Sequence, residues 1–349
     1  MINNSFFSTE ILRWFRENGR DLPWRETRDP YAIWLSEIIL QQTRIAQGWE
    51  YWERFMQTYP KVEDLAAASE DDVLKLWQGL GYYSRARNLH TAAKQIVALG
   101  DFPNTLEGIK SLKGVGDYTA AAIGSFAFDI PAAVVDGNVY RVLSRYFGID
   151  TPINSTQGKK EFAALAQSLL PASDAASYNQ GMMDFGAIQC TPQSPKCLLC
   201  PLAETCEALR CGRVEELPVK NKTVKVKTRH LSYIYIRCKS SAADGIGKSE
   251  PMVAIHRRGE GDIWQGLWEP YNVSDVKELP SFVKNPILLA KDVKHVLTHR
   301  ILLADFYLLE TESRPQLPDD YIWIKESEIE DYGVPRLIEI MLEKINPVE

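Results

Sequence analysis

Two short stretches of this chain carry residues that could do chemistry on a phosphodiester-linked substrate. Gly114 and Gly116 bracket one apolar residue just before an Ala-rich run. Glycines allow a tight turn with outward N–H groups, and a following helix adds a positive end, so the segment could bind an anion. Asp136 follows 20 residues later, before a Gly-Asn turn. A GxG pattern alone usually marks only a turn, but a phosphate-binding turn beside a carboxylate predicts such chemistry.

Glu37 is a second candidate carboxyl. It falls in the most apolar part of a helix that the pattern predicts from Tyr31 to about Tyr59, opened by Asp29-Pro30. An unpaired buried carboxylate is costly, so Glu37 is paired, exposed, or held with a raised pKa for proton transfer. Structural ion pairs produce the same pattern, and the spacing alone leaves these alternatives open.

Aromatic side chains stand beside arginines in two loops. Trp24 lies between Arg20 and Arg25, and the Gly-rich segment 78–87 holds Leu80, Tyr82 and two further arginines. Each loop could be a turn anchored by packed side chains. Alternatively, each could stack bases or wedge into DNA and clamp its backbone.

Four cysteines form a compact C-x6-C-x2-C-x5-C pattern, and these are Cys190, Cys197, Cys200 and Cys206. Four thiolates can hold a tetrahedral zinc ion or a [4Fe–4S] cluster. The spacing lacks the paired CxxC motifs of a zinc ribbon, which favours the cluster. Cys211 and Cys238 remain as ordinary thiols.

Composition indicates an ordinary globular protein of two domains, with 349 residues, 45% of them hydrophobic and 25% charged. No apolar run approaches a membrane span, and no signal peptide is visible, so we expect a cytosolic protein with reduced cysteines. Residues 1–229 hold 26 basic and 26 acidic side chains, and residues 230–349 hold 14 and 20. Bulk charge therefore argues against a basic DNA-binding body, and any DNA contact must rest on local sites.

Hydrophobic periodicity predicts an all-α region followed by a region of strands. Helices are expected up to about residue 187, and no convincing strand occurs before Val224. We predict an all-α domain over residues 1–214, a basic linker over 215–229, and an α+β domain over 230–349 that ends in a helix opened by Pro335. The linker could be a solvated spacer or could follow a phosphate backbone.

Together these residues resemble the adenine DNA glycosylase (MutY) family, within the endonuclease III, helix-hairpin-helix superfamily. The resemblance rests on Leu35-Ser36-Glu37 to Thr43, Gly114 to Tyr118, Val135 to Asn138 and the four-cysteine loop. It covers residues 8–210 and extends more loosely into a Nudix-like C-terminal domain. It implies a helix-hairpin-helix glycosylase domain with a [4Fe–4S] cluster, and a monofunctional glycosylase that excises adenine opposite 8-oxoguanine or guanine.

The resemblance also implies roles for individual residues. Glu37 is the acid that protonates the flipped adenine, Asp136 stabilises the sugar cation or captures it covalently, and Tyr118 and Asn138 position them. The residues expected near adenine are Trp24, Arg25, Leu40 and Gln180. Those expected to contact DNA and the 8-oxoguanine are Gln42, Thr43, Leu80, Tyr82, Gly114, Gly116, Thr298 and His299.

The chain departs from the family at informative positions. Lys113 stands in the hairpin where proline is usual, and Leu297-Thr298-His299 replaces the frequent Phe-Ser-His, so Thr298 keeps the hydroxyl without the neighbouring aromatic. Tyr118 occupies the position where bifunctional relatives carry a lysine. A phenol cannot form the Schiff base that leads to strand cleavage, so base removal without strand cleavage is expected.

Three other functions compete with this expectation. A bifunctional pyrimidine-damage glycosylase is disfavoured by Tyr118 and by the extra domain. A Nudix pyrophosphatase would need a helix of closely spaced glutamates for Mg²⁺, which residues 230–349 lack. A non-catalytic DNA-binding protein with a structural Fe–S site is the third.

The expected partner is double-stranded DNA containing the mispair. We expect a monomer that binds this DNA in the bacterial cytoplasm, in association with the nucleoid.

Overall fold

The computed structural model describes residues 4–221, 226–239, 250–274 and 279–346. The chain folds into two compact units, the first formed by residues 1–67 with 91–222 and the second by residues 68–90 with 223–349. The predicted linker falls partly outside the described residues, at 222–225. On its N-terminal side, Leu217 is buried and its carbonyl accepts a hydrogen bond of 3.1 Å from Arg145 Nε.

The first unit is helical. Its α-helices are α1 (Asn4–Asn18), α2 (Pro30–Ile39), α3 (Ile45–Thr58), α4 (Val62–Ala67), the end of α6 (Ser84–Leu99), α7 (Leu106–Ser111), α8 (Asp117–Phe128), α9 (Gly137–Phe147), α10 (Thr156–Leu169), α11 (Ala175–Asp184) and α12 (Glu207–Arg210). Short 3₁₀ turns occupy Pro23–Arg25, Ala172–Asp174, Cys197–Leu199 and Ala203–Thr205, and a π-helical turn follows α11 at Phe185–Gln189. The expectation of an all-α region before the strands is confirmed.

The helix predicted from Tyr31 to Tyr59 is wrong in its length, because the structure breaks it into α2 and α3. Asp29 caps α2 by accepting a hydrogen bond from the Tyr31 amide at 3.0 Å, with Pro30 at the first helical position. Helical geometry ends at Leu40, and Gln42 adopts a left-handed backbone with φ of 57°. Such a backbone cannot continue a right-handed helix.

α2 is central to the first unit. Every residue from Tyr31 to Ile39 is buried, including Glu37. A second hydrophobic core joins α1, α9, α10 and α11, with Phe7, Leu143 and Phe162 fully buried. These two packed regions fix the ends of α2, α8 and α9, which carry the candidate catalytic residues.

The second unit contains a mixed sheet. Its strands are β1 (Lys227–Cys238), β2 (Met252–Arg257), β3 (Trp268–Glu269), β4 (Tyr271–Ser274), β5 (Ile287–Val296), β6 (Arg300–Thr311) and β7 (Tyr321–Lys325). The main order is β3-β2-β1-β6-β5, with β4 paired to β1 and β7 to β2. β1 and β6 run parallel over their full length, and the other pairs are antiparallel. A 3₁₀ turn, Glu326–Asp331, and α13 (Arg336–Ile345) follow, and α13 packs on one face.

Residues 68–90 also belong to this unit, and they contain α5 (Glu70–Leu76) and the start of α6. Ser69 caps α5 through the Asp72 amide. Gln78 Nε2 donates to Glu339 Oε1 at 2.5 Å, and Arg257 Nη2 donates to Glu70 Oε1 at 2.8 Å. No pattern in the sequence indicates this association, because it joins segments more than 130 residues apart in the chain.

Candidate active site

Glu37 lies on α2 with only 6% of its surface exposed. The hydroxyl of Tyr118, in the first turn of α8, donates a hydrogen bond of 2.9 Å to Glu37 Oε2. Burial raises the pKa of Glu37 to about 7, with the charge of Asp136 adding to the rise, while the Tyr118 hydrogen bond and Arg25 oppose it. A carboxyl with that pKa is partly protonated at neutral pH and can donate a proton.

Asp136 caps the N-terminus of α9. Its Oδ1 accepts hydrogen bonds of 2.8 Å from the amides of Asn138 and Val139, and its Oδ2 accepts one of 2.8 Å from Asn138 Nδ2. Burial raises the pKa of Asp136, and these three hydrogen bonds and Arg141 oppose the rise. The carboxylate therefore has a fixed orientation and a set of donors that favour its ionised form.

Asn138 extends this network along α9. Its Oδ1 accepts a hydrogen bond of 2.8 Å from Arg141 Nη2. The same guanidinium donates to the carbonyls of Gly186, at 2.7 Å, and Cys190, at 2.8 Å. A continuous set of hydrogen bonds thus joins the Asp136 carboxylate to the backbone at the start of the cysteine loop.

The Gly-rich hairpin joins α7 to α8. Gly114 adopts φ of 80°, a left-handed conformation that favours glycine, whereas Gly116 is extended and caps α8. A Cβ added at Gly116 would meet nothing within 4 Å, so the N-terminus of α8 is open. Lys113 is exposed in the hairpin, and Lys110 forms an ion pair with Asp117. The turn has the geometry of an anion site at a helix N-terminus.

Trp24 and Arg25 form a 3₁₀ turn, but their side chains make internal contacts. Trp24 is 6% exposed and packs edge-on against Trp49 and Trp52. Arg25 donates two hydrogen bonds, of 2.8 and 2.9 Å, to the fully buried carboxylate of Asp184, which also binds Arg20.

The other two candidates for the adenine pocket occupy separate elements of the same unit. Leu40 ends α2 and lies over Gly48, where an added Cβ would be 2.6 Å from Leu40 Cδ2. Gln180 is half-buried on α11. Beyond α2, Gln42 is exposed and Thr43 is half-buried, with its hydroxyl donating to the Gln41 carbonyl at 3.4 Å.

The remaining recognition candidates lie in the second unit. Leu80 is buried, while Tyr82 is 46% exposed and adopts a left-handed backbone with φ of 47°. The Tyr82 hydroxyl and the Thr298 hydroxyl form a hydrogen bond. Thr298 and His299 are exposed in the turn between β5 and β6. The structure thus brings Tyr82 and Thr298 together, although 216 residues separate them in the chain.

The four cysteines lie in a loop of tight turns after the π-helical turn, all half-buried and free of disulfides. They interact electrostatically with one another, and Arg145 Nη1 lies 3.4 Å from Cys190 Sγ. In the part of the chain that the structure describes, no three His, Cys, Asp or Glu side chains converge as they would on one metal ion. Four thiols in one short loop beside the Arg145 guanidinium supply the ligand type that a negatively charged iron–sulfur cluster uses, and Cys190, Cys197, Cys200 and Cys206 are the residues that would hold it.

Three residues that contact the candidate site carry no clear signal in the sequence. They are Asp184, which binds Arg20 and Arg25, and the pair Arg141 and Arg145, which lie between Asp136 and the cysteine loop. The two arginines are spaced four residues apart on α9, which could have indicated a shared face. No local signal marks Asp184 as the partner of arginines 159 and 164 residues away.

Family models match three parts of the chain. Residues 35–171 match the HhH-GPD superfamily base excision DNA repair protein, residues 190–206 match the iron-sulfur binding domain of endonuclease III, and residues 246–344 match a NUDIX domain. The expected fold class, a helix-hairpin-helix glycosylase domain with an iron-sulfur loop and an α+β Nudix-like domain, is confirmed. No described helix is both long and apolar enough to span a membrane.

Curated relatives and a solved structure agree with these matches. The chain is 30% identical to the adenine DNA glycosylase of Buchnera aphidicola subsp. Schizaphis graminum, over 97% of this chain and 98% of the relative. It is 43% identical to that of Mus musculus over 61% of this chain, but this spans only 44% of the mouse protein. A thermostable thymine-DNA glycosylase superposes with a TM-score of 0.56 and 34% identity, over 60% of this chain and 97% of that one. The chain therefore belongs to the adenine DNA glycosylase family, of the MutY type, and is a DNA-binding glycosylase of base excision repair.

Proposed function

We propose that this enzyme removes adenine from duplex DNA in which adenine lies opposite 8-oxoguanine or guanine, and that it leaves the strand intact. The observation that carries the proposal is the contact between Glu37 and Tyr118, beside Asp136. This site holds the Glu37 carboxyl, with a pKa of about 7, and the hydrogen-bonded carboxylate of Asp136. It also holds the Tyr118 phenol at the position where bifunctional relatives carry a lysine amine.

The chemistry requires access to the glycosidic bond, so the adenine nucleotide is flipped out of the duplex. Protonated Glu37 donates its proton to N7 of adenine, because a neutral purine leaves far more readily than its anion. As the bond breaks, positive charge develops on the sugar. Asp136 lies within electrostatic range of Glu37 and supplies the carboxylate that stabilises this cation or captures it until water attacks.

Tyr118 holds Glu37, and Asn138 orients Asp136. We assign the adenine pocket to Trp24, Arg25, Leu40 and Gln180. In this role Arg25, fixed by Asp184, also favours the ionised form of Glu37 after proton transfer. Cys190, Cys197, Cys200 and Cys206 would hold the cluster, which would make the cysteine loop rigid. Arg141 and Arg145, on α9, donate hydrogen bonds to Cys190 of this loop.

DNA binding rests on local elements. Gly114 and Gly116 present the open N-terminus of α8 to a phosphate, and Gln42, Thr43, Leu80, Tyr82, Thr298 and His299 contact the opposite base and its surroundings. Tyr82, exposed on a strained backbone, acts as the wedge. We further propose that the protein acts as a monomer in the bacterial nucleoid.

The test uses 5′-labelled duplexes with adenine opposite 8-oxoguanine, guanine or cytosine, under single-turnover conditions. We expect adenine release opposite the first two, with strand breaks only after added alkali. Efficient strand cleavage by the enzyme alone would contradict the monofunctional assignment. Full activity in both Glu37→Gln and Asp136→Asn would contradict the assigned roles.

A further inference from the structure

Asn179 is a buried amide on α11, with only 1% of its surface exposed. Its Nδ2 donates hydrogen bonds to the Ala132 carbonyl, at 2.8 Å, and to Ser125 Oγ, at 3.0 Å. Its Oδ1 accepts a hydrogen bond of 3.1 Å from the Val134 amide. This one side chain therefore joins three parts of the first unit, namely α8, α11 and the segment that connects α8 to α9.

The segment between α8 and α9 is held by two side-chain amides, Asn179 and Gln167. Gln167, on α10, bonds the peptide groups that alternate with those of Asn179. Its Nε2 donates to the Pro131 carbonyl at 2.9 Å, and its Oε1 accepts from the Ala133 amide at 3.0 Å. Gln167 is exposed, whereas Asn179 and both residues whose peptide groups it bonds are buried. Water can replace the exposed amide, but loss of the buried one leaves polar groups without partners.

The contacts of Asn179 lead in two directions to the candidate catalytic residues. Val134 lies two residues before Asp136, the cap of α9. Ser125 lies on α8, about two turns after Tyr118. A shift of the segment relative to α8 would therefore move Asp136 relative to Tyr118. A displacement of about 1 Å at a catalytic group can lower a rate by about a hundredfold.

We propose that Asn179 is a positioning residue for adenine excision, which fixes the Asp136 carboxylate by tying the segment before it to α8. The role assigned to Asn179 rests on the proposed function, in which Asp136 faces the positive charge that develops on the sugar. Because Asn179 is buried, it acts through Asp136 and not by contact with the DNA. It therefore affects bond cleavage more than DNA affinity.

The experiment uses the full-length protein loaded with its cluster and compares wild type with Asn179→Ala and Asn179→Ser. Serine keeps a polar group at the site but is too short to bond both peptide groups. Gln167→Ala is the matched control, because it removes the exposed amide from the same segment. Asp136→Asn is the reference for loss of the negative charge.

Two quantities are measured. The first is the single-turnover rate constant for adenine release opposite 8-oxoguanine, with enzyme in excess, so that partial misfolding of a variant does not alter it. The second is the ratio of affinities for two uncleavable duplexes, which carry a cationic pyrrolidine or a neutral tetrahydrofuran in place of the sugar. This ratio reports stabilisation of positive charge at the sugar, and a structural defect elsewhere would leave it unchanged.

We expect wild type to prefer the cationic duplex. In both Asn179 variants the rate constant should fall by about tenfold or more, and the preference should shrink toward that of Asp136→Asn. Affinity for the neutral duplex should change little, and Gln167→Ala should behave as wild type.

A wild-type rate constant and a wild-type preference in either Asn179 variant would overturn the proposal. An equal loss in Gln167→Ala would also overturn it, because the buried amide would then have no special part. Failure of the proposed function would look different: wild type itself would release no adenine and would not distinguish the two uncleavable duplexes.

Discussion

The Tyr118 hydroxyl donates a 2.9 Å hydrogen bond to Glu37, the buried carboxyl of α2. This bond lowers the pKa of Glu37, against burial, which raises the pKa to about 7. The phenol itself is buried, and burial followed by the charge of Glu37 raises its own pKa far above the usual value. Tyr118 therefore remains a neutral donor and, against the larger effect of burial, lowers the pH range in which Glu37 is protonated and can act as an acid.

Replacing Tyr118 with phenylalanine removes the bond that favours the Glu37 carboxylate. The pKa of Glu37 is then expected to rise, so the acid form persists to higher pH. Adenine release by wild type should fall as pH rises through about 7, and this limb should move to higher pH in Tyr118→Phe. Single-turnover rates across pH measure it. Tyr31→Phe, which removes a buried hydroxyl bonded to the Tyr59 carbonyl, should leave the limb in place.

Glu37 also affects stability. Its folded-state pKa is raised from 4.5 to about 7, so the folded state is favoured at low pH, and this contribution is lost as pH rises from 4.5 through about 7. This pKa shift corresponds to a contribution of about 3 kcal/mol to the free energy of unfolding. Relative to wild type, Glu37→Gln should therefore become more stable by about this amount between pH 4.5 and 8.

Denaturant unfolding at several pH values measures this difference. The matched control is Glu107→Gln, which removes an exposed carboxyl near the start of α7. A stability difference between Glu37→Gln and wild type that does not change with pH would show that Glu37 does not titrate in this range.

The variant Asp136→Asn distinguishes the contribution of Asp136 as the cap of α9 from the contribution of its negative charge to catalysis. Asparagine can accept the same two amide hydrogen bonds but not the third one, from Asn138 Nδ2, so the free energy of unfolding should fall less than in Asp136→Ala, which should lose about 1 kcal/mol from the cap alone. Both variants lose the negative charge facing the sugar, and adenine release should fall by roughly a hundredfold or more in each. Near-wild-type rates in Asp136→Asn would instead assign the carboxylate a purely structural role.

The cysteine loop is tested by the iron content, the visible absorbance and the unfolding temperature of the protein. Wild type should contain about four irons per chain and show a broad visible absorbance band. Cys200→Ala should lose iron and absorbance and unfold at lower temperature, because the cluster stabilises the loop it binds. Cys211→Ala is the control, since Cys211 is exposed and outside the four-residue pattern. One zinc ion and no iron per chain in wild type would contradict the assignment of an iron–sulfur cluster to the four cysteines.

Much of the fold could be predicted from local pattern. Asp29-Pro30 opens α2 as expected, Ser69 caps α5, and the first described strand begins at Lys227, close to the predicted change from helix to strand. The four-cysteine spacing indicated the cluster that the family match supports. These features depend on residues that lie near one another in sequence.

What could not be predicted depends on distant contacts. The break after Leu40 follows from the left-handed backbone at Gln42, a residue type that carries no strong turn signal. The two arginines around Trp24 suggested phosphate binding, but Asp184 binds both, and only the folded chain brings that carboxylate to them. The hydroxyl pair of Tyr82 and Thr298 likewise joins segments that periodicity cannot align.

The placement of residues 68–90 in the second unit has a consequence for synthesis on the ribosome. This segment is translated before residues 223–349, with which it packs. Val73 and Leu74 are buried in the finished protein, with Leu74 near Gly266. Until residues 223–349 have left the ribosome, these apolar side chains lack that cover. We therefore expect nascent chains stalled before residue 223 to expose them to chaperones.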